Sequence, residues 1–267
     1  MTNQKINQLD YQNIFNYLKN FLNKMDKLIR IQKSDIKSFE PPSKIKLNEI
    51  YDYFIFNQGH NLSCAISSAI SLIEYLRQKE GKSCEKLSVG FLYHELLIEN
   101  KDSLSHIGFR ASDVLRELLK NGVCLQQKFS SLQDSYINPS TDAVLDSLSR
   151  IKHCNIECID IDIITLRYII GFCERPIVAI INIFDTDQFF DLERSYEVIR
   201  PFEDMDKEES LNHSILLVGY NDHEGVIYFQ NSYGEEWGNG GFGRISYDYI
   251  PYFDLFYSMD ESCIKSS

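Results

Sequence analysis

Three polar side chains of the types needed for thiol chemistry lie far apart in the sequence: Cys64, His213 and Asn231. Cys64 opens a run with helical spacing, and the free amides and dipole at a helix start favour the thiolate, which is the reactive form of cysteine. An imidazole can take the thiol proton and return it to a leaving amine, while an asparagine can hold the imidazole ring without adding charge. This set predicts that Cys64 is a nucleophile, His213 its base and Asn231 the residue that orients the histidine.

The order of the three residues distinguishes Cys64 from the other cysteines. A single free cysteine is more often a small buried apolar residue than a nucleophile. His213 precedes one strand-like run and Asn231 ends the next, and both follow Cys64 at, or slightly beyond, the separation of about 130–150 residues that one class of thiol enzymes uses.

Three blocks of the sequence resemble the papain family of cysteine peptidases, in the order found in that family. The first block, QGHNLSC, runs from Gln58 to Cys64 and is similar to the family's QGxCGSC. The second, NHSILLVGY, contains His213 and is similar to a block that starts HAV and ends VGY. The third, NSYGEEWGNGGF, starts at Asn231 and resembles NSWGxxWGxxGY. The resemblance covers roughly residues 41 to 258, and the closest match is the bacterial xylellain-like branch, which lacks the disulfide cysteine of the first block.

The resemblance implies an α+β protein with a two-lobed papain-like fold. A helical left lobe (about 41–150) would carry Cys64, an antiparallel β-rich right lobe (about 151–258) would carry His213 and Asn231, and the cleft would lie between the lobes. The implied activity is hydrolysis of peptide bonds through a thioester on Cys64, without a cofactor or metal. The expected partner is a peptide or protein substrate.

The family pattern also implies roles for four further residues. The Gln58 side chain and the backbone amide of Cys64 would form the oxyanion hole. Gly108, Leu62 and Trp237 would bind substrate, with Gly108 on the left wall, where a backbone without a side chain lets a peptide pair as an added strand; a plain turn at Gly108 is an equal alternative. Leu62 stands where the family has glycine, so it is expected to add bulk beside the scissile bond.

Two other positions depart from the pattern. Ala65 replaces the aromatic residue that follows the nucleophile, and Tyr233 replaces the tryptophan that shields the histidine–asparagine hydrogen bond. Because a tyrosine ring can provide similar cover, the second change is expected to be tolerated.

The elements that must position these residues change along the chain. Apolar spacing predicts helices from about Ser63 to Gly81 and from Ser112 to Asn121, and short β-branched runs between residues 177 and 247 predict antiparallel strands. Residues 4 to 33 show one apolar helical stripe that breaks near Pro41. We therefore expect an amphipathic segment, residues 1–40, ahead of a peptidase body, residues 41–267. That segment would act as a pro-region over the cleft, as in a zymogen, or pack on a lobe as an ordinary helix.

Composition narrows the classes of partner and compartment. The formal net charge of −12 argues against nucleic acid and anionic membranes as partners, and no apolar run approaches a bilayer span. The seven cysteines show no paired framework, and the two N-glycosylation sequons, at Asn61 and Asn212, adjoin the predicted site. The sequence lacks an apolar signal core, so we expect the protein to be cytoplasmic or exported by a route not using a classical signal peptide. We also expect it to be a monomer.

Three alternatives to peptidase activity deserve a test. His153, Cys154, Cys158 and Cys173 could bind zinc in principle, but their spacing matches no tight ligand pair. An inactive papain-like binding module would not need the complete set of reacting groups. A papain-fold acyltransferase would use the same thioester, so the sequence does not separate it from a hydrolase.

Overall fold

The computed structural model describes residues 28–36, 39–99, 108–130, 137–150, 154–184, 186, 189, 191, 195–202 and 210–260. Residues 1–27 of the predicted amphipathic segment, His153, and Cys263 lie outside these ranges. Within them, the chain forms an α+β fold with helices before residue 150 and a sheet built mainly from residues after it.

Four helices follow one another in the first half of the chain. They are α1 (Cys64–Lys79), α2 (Val89–Glu99), α3 (Ala111–Asn121) and α4 (Thr141–Ser149). The sequence predicted α1 and α3 to within two residues at each end. Helix α3 ends where Gly122, at φ +67°, donates its amide to Leu118 O, because glycine accepts the left-handed backbone that ends a helix.

The described strands form one mixed, mostly antiparallel sheet. They are β1 (Leu28–Ile31), β2 (Lys44–Lys46), β3 (Asn155–Ile159), β4 (Ile177–Ile183), β5 (Val198–Ile199), β6 (Leu211–Asn221), β7 (Val226–Gln230), β8 (Phe242–Ser246) and β9 (Phe253–Asp260). Their order is β1-β3-β9-β4-β6-β7-β8-β5, with β2 also paired to β6. A short helix, α5 (Ile163–Arg167), and a turn of π-helix (Tyr168–Phe172) connect β3 to β4.

The predicted helical stripe is wrong at its end, because residues 28–31 form β1 and pair in parallel with β3. The β-branched residues Ile29 and Ile31 suit an edge strand, and the sheet offers them a partner that a local periodicity cannot reveal. The segment before Pro41 is thus joined to the sheet. Strand β2 likewise pairs with β6, so residues 44–46 of the stretch expected in the left lobe contribute to the right-lobe sheet.

Helix α1 packs against β6, and through this packing the two lobes share one apolar core. Ile66, Ala69, Ile70 and Ile73 on α1 are at most 2% exposed, and they join the buried face of β4, β6 and β7 in one apolar cluster. The burial of these apolar side chains holds the start of α1 and the start of β6 in fixed positions. The two predicted reacting groups lie at these two positions.

Candidate active site

Cys64 is the first residue of α1 and lies half-buried at the lobe interface. Burial raises the pKa of its thiol. This effect is outweighed by a hydrogen bond from His213, by the charge of that imidazole, and by the backbone amides of Ser214 and Ala65, which together lower the pKa below its ordinary value. The Cys64 thiol therefore ionises more readily than an ordinary cysteine.

The imidazole of His213 is held on two sides by Cys64 and Asn231. His213 Nε2 lies 2.8 Å from Asn231 Oδ1, which also accepts from the Ser232 amide at 2.8 Å. Because Oδ1 can only accept, Nε2 carries a hydrogen and Nδ1 is left to face the thiol. The three residues predicted from the sequence thus form one continuous hydrogen-bonded set.

Aromatic rings cover the His213–Asn231 bond. Tyr233 stacks on the imidazole at 5.0 Å between ring centroids, with 25° between the planes, and Phe189 meets it edge-on at 6.2 Å. This is the arrangement expected of Tyr233 in place of tryptophan. Excluding water here strengthens the bond that orients the histidine.

Gln58 lies next to Asn231 because residues 57–58 pair with the start of the third sequence block. The Gln58 amide donates to Ser232 O at 2.9 Å, and Asn57 forms a β-bridge with Tyr233. Gln58 Oε1 accepts from the Ser232 hydroxyl, and its Nε2 donates to Asn61 O at 2.8 Å. Nε2 carries two hydrogens, so one remains beyond the bond to Asn61 O.

A cleft of about 640 Å³ opens beside Cys64 and His213. Its left wall includes Leu62, Ala65, Gly108 and Phe109, and its right wall includes Ile180, Asn212, Ser214 and Leu255; Arg110, Asp113 and Asp254 complete its lining. The volume and mixed lining suit a segment of peptide.

Leu62 and Gly108 both line this cleft. Leu62 is 47% exposed, and Gly108 has φ +77°, a backbone region that glycine favours. A Cβ at Gly108 would meet Leu62 Cβ at 3.5 Å. The Leu62 side chain therefore narrows the cleft at its left wall, close to the predicted nucleophile Cys64.

The prediction that Trp237 contacts substrate is wrong. Its side chain is 1% exposed, and its indole Nε1 donates to Phe189 O at 2.6 Å. It packs against Phe189, Phe229 and Tyr233. Because Phe189 and Tyr233 both contact His213, Trp237 supports the histidine from behind.

Phe189, Ser232 and Ser214 are parts of the site that were not predicted from the sequence. Phe189 lies in a stretch without a strong pattern, and Ser214 acts through its backbone amide, which any residue type supplies. Ser232 could have been found, because it lies beside Asn231 and carries a hydroxyl.

In the described part of the chain, no three His, Cys, Asp or Glu side chains converge as metal ligands would. The six described cysteines form no disulfide with one another. Among the described helices, none combines the length and apolar character needed to cross a bilayer.

Comparison with known proteins agrees with this site. The sequence profile of the family described as "Papain family cysteine protease" matches residues 173–253, a stretch that contains His213 and Asn231 but not Cys64. An uncharacterized peptidase C1-like protein of Acanthamoeba polyphaga mimivirus is 25% identical over 263 residues, covering 88% of this chain and 82% of that protein.

Solved structures share the fold. Xylellain, a cysteine protease from Xylella fastidiosa, superposes with a TM-score of 0.67 at 20% identity, covering 88% of this chain and 96% of that one. Digestive procathepsin L 3 of Tenebrio molitor larval midgut gives a TM-score of 0.65 at 15% identity, covering 91% of this chain and 79% of that one. The chain thus has a papain-like fold, and the part of it that carries His213 and Asn231 matches the papain-family profile.

Proposed function

We propose that this chain hydrolyses peptide bonds through a thioester on Cys64. The observation that carries the proposal is the hydrogen-bonded set Cys64–His213–Asn231 at the side of a peptide-sized cleft. Each member has a distinct chemical task, and the cleft gives a substrate access to Cys64 and His213.

The reaction begins when His213 Nδ1 takes the Cys64 proton. The thiolate attacks the substrate carbonyl carbon, and the carbonyl oxygen becomes an oxyanion. The amide of Cys64 is available to meet this oxyanion, because the first amides of a helix lack intrahelical partners. The remaining hydrogen of Gln58 Nε2 is the second donor.

The second half of the reaction uses the same imidazole in the reverse sense. His213 returns its proton to the leaving amine as the carbon–nitrogen bond breaks, which leaves a thioester on Cys64. The imidazole then takes a proton from water, the hydroxide attacks the thioester, and the proton goes back to sulfur as the carboxylic acid leaves. Asn231 keeps the ring in place throughout.

Hydrolysis of fluorogenic peptide mixtures tests this function. The parent chain is compared with Cys64→Ala and with Cys84→Ala, a matched control because Cys84 is also a half-buried free thiol but lies outside the cleft. Loss of cleavage in the first variant alone supports the proposal. Cleavage that survives in Cys64→Ala, or a parent that forms the Cys64 acyl-enzyme but transfers it only to amines, would contradict it.

We also propose that residues preceding the described structure act as a pro-region. The support is the apolar stripe of the sequence, and because β1 pairs with β3 we assign the proposed pro-region to the residues before Leu28. The test compares peptidase rates of the full chain and a chain that starts at Leu28. A higher rate for the shorter chain is expected, and equal rates would reject autoinhibition.

We propose finally that the chain belongs with the xylellain-like branch and works as a monomer, in the cytoplasm or after export without a classical signal peptide. Support comes from Asn61, which stands where the family motif QGxCGSC has its disulfide cysteine, from the likeness to xylellain, and from the sequon at Asn212 beside His213. The net charge of −12 supports a protein substrate over nucleic acid or a membrane surface. Size-exclusion chromatography and thiol counting on protein from its source would check these points.

A further inference from the structure

A layer of buried polar side chains lies between α1 and the sheet and includes Asn231, the hydrogen-bond partner of His213. We call it the serine seam; its members are Ser67, Ser68, Ser71, Ser214, Gln230, Asn231 and Ser232, each at most 5% exposed. Burying hydroxyl and amide groups destabilises the fold unless their hydrogen bonds are made. The partners of each polar atom in the seam can therefore be traced.

Most of the seam is satisfied by internal bonds. The hydroxyls of Ser68 and Ser214 lie 2.7 Å apart. Gln230 Nε2 donates to Phe54 O at 2.8 Å and to the Ser71 hydroxyl at 3.0 Å, which ties the end of β7 to α1.

Three buried atoms of the seam have no hydrogen-bond partner among the described residues: Ser67 Oγ, Gln230 Oε1 and Asn231 Nδ2. Their chemistry is complementary. Asn231 Nδ2 can only donate, Gln230 Oε1 can only accept, and the Ser67 hydroxyl can do both. Because a water molecule donates two hydrogen bonds and accepts two, it could not bond three donors or three acceptors at once, but it can bond this combination.

The same three residues line one internal cavity of about 10 Å³, together with Phe56 and Leu216. That volume is close to the lower limit for a single enclosed water molecule, and such a water needs two to four polar partners. We propose that one ordered water molecule occupies this cavity, accepts from Asn231 Nδ2, donates to Gln230 Oε1 and shares a hydrogen bond with Ser67 Oγ.

This water would make Ser67 and Gln230 positioning residues for the catalytic set, an inference that rests on the proposed function. Asn231 must present Oδ1, and not Nδ2, to His213 Nε2. The water holds Nδ2 on the opposite side of the amide, so it acts together with the Ser232 amide, which bonds Oδ1. Without it, the Asn231 side chain has one fewer restraint against rotation.

A high-resolution crystal structure of the unliganded chain tests the water itself. We expect electron density within about 2.7–3.2 Å of all three atoms. An empty cavity, or direct bonds among the three side chains, would overturn the proposal. Because this result does not depend on cleavage of any peptide, it is separate from the outcome for the proposed function.

Kinetics of Ser67→Ala test the positioning role. We expect kcat to fall about three- to tenfold with KM unchanged, and the alkaline limb of the pH profile to move to lower pH as the imidazolium loses support. Ser67→Thr, which keeps the hydroxyl, should restore both. Ser147→Ala is the matched control, because it removes an equally buried helix hydroxyl that bonds Val144 O. A Ser67→Ala enzyme with the parent's kcat and pH profile would overturn the role.

Discussion

His213 Nε2 lies 2.8 Å from Asn231 Oδ1, while the Cys64 thiol is hydrogen-bonded to the same imidazole. One ring therefore joins a residue of the helical lobe to a residue at the end of a β-strand. Its orientation depends on Asn231, whose Oδ1 accepts from Nε2, while the flanking rings of Tyr233 and Phe189 restrict its tilt.

Asn231→Ala is expected to lower kcat about ten- to hundredfold. A hydrogen bond to a charged group contributes about 1.5–3 kcal/mol, and the imidazolium forms only during the reaction. KM should change little, because Asn231 does not line the cleft. The matched control is Asn182→Ala, which removes a similarly buried amide that bonds Tyr252 O. An equal loss of kcat in both variants would point to general damage instead.

Leu62→Ala is expected to widen the left wall of the cleft. Leu62 is largely exposed, so the free energy of unfolding should change little, while kcat/KM for substrates with a bulky side chain near the cleaved bond should rise about tenfold relative to small ones. Leu145→Ala, an exposed leucine on α4, is the control. Unchanged discrimination between bulky and small substrates would show that Leu62 does not contact them.

A chain that starts at Pro41 is expected to be less stable than one that starts at Leu28. The longer chain keeps β1 on β3, the bond from Asp160 N to Ile31 O at 3.0 Å, and the packing of Phe39 on Tyr168 at 5.3 Å. Losing these contacts should cost a few kcal/mol, or about 5–10 °C in Tm. Equal melting temperatures would mean that β1 contributes nothing to the body.

Glu74→Gln is expected to raise stability at pH 8 and to flatten its pH dependence. Burial raises the pKa of Glu74 to about 8, although Leu87 N donates to its Oε1 at 2.9 Å and Lys86 and Arg77 lie near. The folded state then binds a proton that the unfolded state has released, so stability falls as pH rises from about 4.5 towards 8. Thermal melts of both proteins between pH 5 and 8 check this. Parallel curves would show that Glu74 titrates normally.

The sequence predicted the α+β fold class correctly, and the structure brings together the three residues predicted to react, but the sequence did not predict every strand. Cys64, His213 and Asn231 carry chemistry that restricts residue type and order, and α1 has a long apolar periodicity that depends on local sequence. Strand β1 was missed because its pairing with β3 joins residues more than a hundred positions apart, and short apolar runs fit either a helix or a strand.

Trp237 shows a second kind of feature that could not be predicted from the sequence, namely whether a side chain in a site motif is exposed or buried. Its motif identified it as part of the site, but side-chain burial depends on Phe189 and Phe229, which the motif does not include. The serine seam was also invisible, since its serines on α1 resemble ordinary polar positions until the sheet covers them. Both depend on tertiary packing.

Labelling with an epoxide that captures activated thiolates tests the central claim, that His213 activates Cys64, most directly. The parent should form an adduct at Cys64 below the pH at which an ordinary thiol ionises, and His213→Ala should abolish it, because the imidazole lowers the Cys64 pKa. Cys84, whose pKa is raised by burial and by the nearby carboxylates of Glu74 and Asp52, should stay unlabelled. Equal labelling of several cysteines, unaffected by loss of His213, would contradict the account.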